Sequence, residues 1–128
     1  MPASDATVIA DYENQAQEFL ARAREYLNAG DLHQASEKGW GAAAHMAKAV
    51  AVAQGWEYDT HADFSVVLNQ AWQATGNDRL RALRGIANEL HSNFYRRKRH
   101  LNAEVIGQDI ENVAELVEAL ALLASPAP

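Results

Sequence analysis

The chain of 128 residues contains no cysteine, which excludes a disulfide framework, a thiolate metal site and a cysteine nucleophile. Its three prolines, Pro2, Pro126 and Pro128, lie at the extreme ends, so the interior is free of the strongest helix breaker. No apolar run approaches the ~20 residues of a membrane helix; the longest, Leu116 to Ala124, is interrupted by Glu118. Asp5, Asp11 and Glu13 stand where a secretory signal would carry basic residues leading into an apolar stretch. Strand-like alternation of useful length is also missing. What is present is a composition 48% hydrophobic and 22% charged, with enough apolar surface to offset the entropy lost on ordering. The length suits one domain of ~100–150 residues. A single cytoplasmic domain with an ordered core over about 6–124, without a membrane association, is expected.

Charge is scarce in one sign only along parts of the chain. The net charge is −6. Residues 1–76 carry four basic and ten acidic side chains, and residues 102–128 carry five acids and no base. Between them, residues 77–101 hold seven basic side chains (Arg79, Arg81, Arg84, Arg96, Arg97, Lys98 and Arg99) against two acids. Attraction to a polyanion depends on where charge sits as well as on its sum, so this segment is the candidate anion-facing surface of an acidic body.

Apolar periodicity predicts five helices. The first, about 9–27, places Ile9, Tyr12, Ala16, Phe19, Leu20, Ala23, Tyr26 and Leu27 on one face, with Gly30 as its left-handed stop. Asp31 then caps a second helix, about 32–53, with Gln34 three residues on. Between Trp40 and Ala53 that helix is apolar nearly all round, which suits contact with several neighbours. The third, about 61–74, carries Phe64, Val67, Leu68, Ala71 and Trp72. Gly76-Asn77 closes it and starts a fourth, about 78–99, with Leu80, Leu83, Ala87, Leu90 and Phe94. The fifth spans about 103–124. Gln54 to Asp59 reads as a loop, with Trp56, near Tyr58, as the candidate exposed aromatic. Short links between amphipathic helices predict an all-α, up-and-down antiparallel bundle of four to five helices.

The fourth helix carries the candidate chemistry. Arg84 and His91 are seven residues apart, which at ~100° per residue leaves them within about 20° of each other on the helix surface. Asn88 lies between them and Tyr95 one turn beyond. The line Arg84–Asn88–His91–Tyr95 flanks an apolar seam and runs into the basic cluster Arg96, Arg97, Lys98 and Arg99. Arginine offers a permanent planar cation for phosphate, and histidine exchanges a proton near neutral pH. With Arg81 and the cluster gripping an RNA backbone, that suffices for cleavage by a 2′-hydroxyl without metal or cofactor. A seam edge is also where a second copy would pack, bringing two such lines into one cleft.

Two segments carry a family resemblance. Gly30-Asp31-Leu32-His33-Gln34-Ala35-Ser36-Glu37-Lys38-Gly39-Trp40-Gly41-Ala42-Ala43-Ala44 resembles the signature of the PaREP family of small prokaryotic helical proteins, as does Leu90-His91-Ser92-Asn93-Phe94-Tyr95. That family is placed with the HEPN (higher eukaryotes and prokaryotes nucleotide-binding) superfamily. The resemblance implies a bundle of four or five helices, commonly dimeric. It also implies RNA cleavage by an Arg-x4–6-His motif at the dimer cleft, with Arg84 and His91 at the long end of that spacing. The polar residue that usually follows the motif arginine is Gly85 here. Tyr95 falls four residues after the histidine, where the toxin branch has a tyrosine two after. Other superfamily members bind nucleotides or RNA without cutting, or pair with a nucleotidyltransferase-like or antitoxin partner.

Remaining constellations have plainer readings. Glu37 either orients Arg84 or His91 across the bundle or forms a structural ion pair. Trp40 and Trp72 fall within apolar faces and read as core or interface. His33, Glu37 and the Glu57–Asp59–His61–Asp63 cluster contain metal-capable groups, but no ligand spacing joins them, and no metal is expected.

Overall fold

A computed structural model describes residues 3–96 and 102–125, with side chains over 5–93 and 102–125. Its elements are α1 (Ala3–Asn28), α2 (Leu32–Gln54), α3 (Asp63–Thr75), α4 (Arg79–Arg96) and α5 (Ala103–Ala124). The described residues form an all-α bundle, as the periodicity predicts. The expected basic continuation of the fourth helix, 97–99, lies outside the described residues, and so do the side chains of Tyr95 and Arg96.

Local chemistry accounts for the helix ends. Gly30 adopts a left-handed φ of 80°, which only glycine reaches without strain. The Asp31 carboxylate then accepts the Gln34 N–H at 3.1 Å and starts α2. Asn77 accepts the Arg79 N–H at 3.1 Å, and Asn102 accepts that of Val105 at 3.0 Å.

Helix α2 is the hub, packing against all four other helices, while α1, α5, α4 and α3 follow one another around it. Its alanine-rich middle makes this geometry available: Ala35, Ala42, Ala43, Ala47 and Ala49 are fully buried. Larger residues from the surrounding helices complete the core, among them Phe64, Leu68, Leu83, Leu90, Ile110 and Leu116. A buried polar link, Asn93 Nδ2–H to Ser36 Oγ, ties α4 to α2. Exposed ion pairs fasten α5 to its neighbours, Arg24–Glu111 at 2.8 Å and Arg79–Glu115 at 2.9 Å.

The link between α2 and α3 is irregular, as expected, but its Trp56 is not exposed. Gly55 turns left-handed with φ 75°, and the Trp56 N–H returns to Ala51 O at 2.8 Å. Trp56 is thereby folded back against the core, half-buried, and Tyr58 packs there too. The chain runs back along α2, so that His61 and Phe64 arrive beside Trp40, in the first half of that helix.

Candidate functional site

The site is built on α4. Arg81 lies over the Trp72 ring, its guanidinium carbon 4.8 Å from the centroid. Asn88 Nδ2–H donates to Ser65 Oγ at 3.3 Å, and the His91 ring centroid is 4.0 Å from that of His61. These contacts step in opposite directions along the two segments, so α3 and α4 are antiparallel. The same register sets Arg84 level with Asn69. Arg84, Asn88 and His91 therefore share one face of α4, turned toward α3 and half-buried.

Each of the three is held differently. Arg84 Nε is shut off from water and has no hydrogen-bond partner. Asn88 is committed to Ser65. His91 belongs to an aromatic cluster: Trp40 is 4.8 Å from it and 4.7 Å from His61, centroid to centroid. Phe64 meets the Trp40 ring edge-on at 4.7 Å. Burial, and then the neighbouring His61, hold the His91 imidazole below the ordinary histidine value. The cluster thus favours a neutral His91 that can accept a proton.

A pocket of about 300 Å³ opens beside His61. Tyr12 of α1, Trp40 and Lys48 of α2, and Tyr58, Asp59 and Thr60 of the returning link line it with His61. Lys48 Nζ lies 5.5 Å from the Tyr58 ring centroid. Burial, reinforced by the Asp63 charge, pushes the Tyr58 hydroxyl up to about 12. Asp63 accepts the N–H groups of Asp59 and Thr60 at 2.8 and 3.0 Å, which shapes the link and holds the Asp63 carboxyl below its ordinary value.

The other candidates fall as follows. Arg81 is exposed but engaged with Trp72, and Arg79 is engaged with Glu115. Arg96, Arg97, Lys98, Arg99 and Tyr95 have no described side chains. Glu37 pairs with Lys38 at 3.2 Å, the structural alternative, and Lys38 also lies 4.9 Å from the Phe19 ring centroid. Among the described residues no three histidines or carboxylates come together as a metal set. No described helix is long and apolar enough to cross a membrane.

The archaeal PaREP1/PaREP8 family matches residues 11–121. The chain belongs to that family. No curated protein and no solved structure matches the chain. The match to the PaREP1/PaREP8 family takes in Trp40, His61, Arg84, Asn88 and His91, so the whole cluster lies within the family's extent.

Spacing along α4 brings out Arg84, Asn88 and His91 from sequence. It misses Trp40 and His61 as partners of His91, because they come from other elements. The available signal was indirect: a tyrosine and a histidine in the link that follows the helix carrying Trp40.

Proposed function

We propose that this PaREP1/PaREP8 protein acts on RNA as a HEPN-like, metal-independent ribonuclease working along the α3–α4 face. The observation that carries the reading is the pairing of Arg84, whose Nε lacks a partner, with a proton-accepting His91 on the same helix face. Two helical turns separate them, about 10 Å of rise, and a phosphate between them lies within reach of both side chains across Asn88.

In this mechanism neutral His91 takes the proton of a 2′-hydroxyl as its oxygen bonds to phosphorus. The bond from phosphorus to the 5′-oxygen breaks, and that oxygen leaves as it takes up a proton from solvent. Arg84 offsets the charge that builds on the phosphoryl oxygens. The products are a 2′,3′-cyclic phosphate and a 5′-hydroxyl.

Two copies joined across α4 would place two such lines in one cleft, the arrangement the resemblance implies. The test is a gel assay against total RNA with EDTA present. Wild type should cut. Arg84→Ala and His91→Ala should lose about 10²-fold or more in rate, the range for removing a proton-transfer group, while keeping wild-type helicity. Equal cutting by the variants would retire the mechanism. No cutting by the wild type would leave the binding or partner-docking role of a silent relative.

A further inference from the structure

The pocket beside His61 is not used by the reaction above, yet it shares Trp40 and His61 with that site. Its walls include three aromatic side chains, Tyr12, Trp40 and Tyr58, drawn from three separate segments. Aromatic faces of this kind accept any nucleobase by stacking. Lys48 supplies a cation at the same pocket, and among the described residues no carboxylate forms an ion pair with it. A cavity that joins aromatic walls to one lysine and to the polar groups of Asp59, Thr60 and His61 suits a flat ligand carrying both hydrogen-bonding edges and negative charge. Its volume of about 300 Å³ is at the low end for small-molecule sites, which suits one nucleotide and no more.

We infer that this pocket is a mononucleotide subsite, taking the base between Tyr12, Trp40 and Tyr58 and the phosphate on Lys48. Resting on the ribonuclease reading, it receives the nucleotide adjacent to the bond cleaved at His91. Asp59 and Thr60 at the pocket wall offer a carboxylate and a hydroxyl to the edge of the base. The subsite would thus anchor the strand in the half of the molecule that carries few basic residues.

Titration of the full chain with 5′-AMP, adenosine and ribose 5-phosphate, followed by tryptophan fluorescence and equilibrium dialysis, tests this. AMP should bind saturably and ribose 5-phosphate at least about tenfold more weakly, since stacking on the base supplies most of the affinity. Lys48→Gln should weaken AMP about tenfold and leave adenosine within about twofold, because only the phosphate contact is lost. Tyr12→Leu should weaken both. Equal binding of ribose 5-phosphate and AMP, unchanged AMP affinity in both variants, or no saturation by about 10 mM would each overturn the subsite. AMP binding by a wild-type protein that cuts no RNA would retire the nuclease and leave the subsite standing. Cleavage without AMP binding would do the reverse.

Discussion

Burial makes individual histidines in this protein poor bases in a useful range. Desolvation holds both His45 and His91 below the ordinary histidine value. For His45 the bond from Nδ1–H to Gly41 O, 2.8 Å, only partly opposes this. A general base works in its neutral form, so a lowered His91 value moves the acid limb of the rate downward. The acid limb of RNA cleavage is therefore expected below about pH 6.5, the value of a free histidine, and a rate profile would show it. The same shifts enter stability. Between the lowered native value and the unfolded value near about 6.5, the unfolded chain binds more protons, so stability falls as pH falls through that window. Thermal melts from about pH 7 to about pH 5 should show a declining Tm. His45→Gln should flatten the decline without touching the α3–α4 face.

At the scale of the helix, the glycines of α2 and α4 do opposite things. A methyl group at Gly41 would come within 2.8 Å of Phe19 Cδ2. That ring is held by His45, edge-on at 4.9 Å, and by Lys38. A methyl group at Gly85, on α4, meets nothing within 4 Å. Alanine gains about 1 kcal/mol over glycine in a helix interior, and overpacking costs about 1–3 kcal/mol. Gly85→Ala should accordingly raise Tm by a few degrees, and Gly41→Ala should lower it, as read by calorimetry. The Gly85 variant should also keep RNA cleavage, since beyond its chain neighbours the added methyl meets nothing within 4 Å, His91 included. Ser36→Ala is a further check on how α2 holds α4. It strands the buried Asn93 amide at a cost of about 1–3 kcal/mol.

For the molecule as a whole, the deciding quantity is which of the basic residues remain available to a polyanion. Arg79 is tied to Glu115 and Arg24 to Glu111; on the proposed reading, Arg84 and the basic run at 96–99 of the sequence carry the anion-facing charge. Replacing Arg96, Arg97, Lys98 and Arg99 by glutamine should weaken RNA binding at low salt. It should also flatten the salt dependence, each lost phosphate contact removing about 0.7 from the logarithmic slope. If two copies build the cleft, cleavage should follow the dimer fraction in sedimentation velocity. Activity in a purely monomeric sample would refute the shared cleft.

Periodicity alone was sufficient for the five helices and most of the core, because each stretch buries one face and the period records which. Caps were equally plain at Asp31 and Asn77, where one short side chain satisfies nearby backbone N–H groups. The line Arg84–Asn88–His91 was readable for the same reason: it lies on one rigid helix, and spacing is geometry there. His61 against His91, Trp40 beside both, and the pocket lined by His61 were not readable. They depend on a link that turns back along α2, held by Gly55, the Trp56 N–H and the Asp63 carboxylate. Contacts between separate elements follow from packing, which balances the whole core at once, and no local spacing encodes that balance.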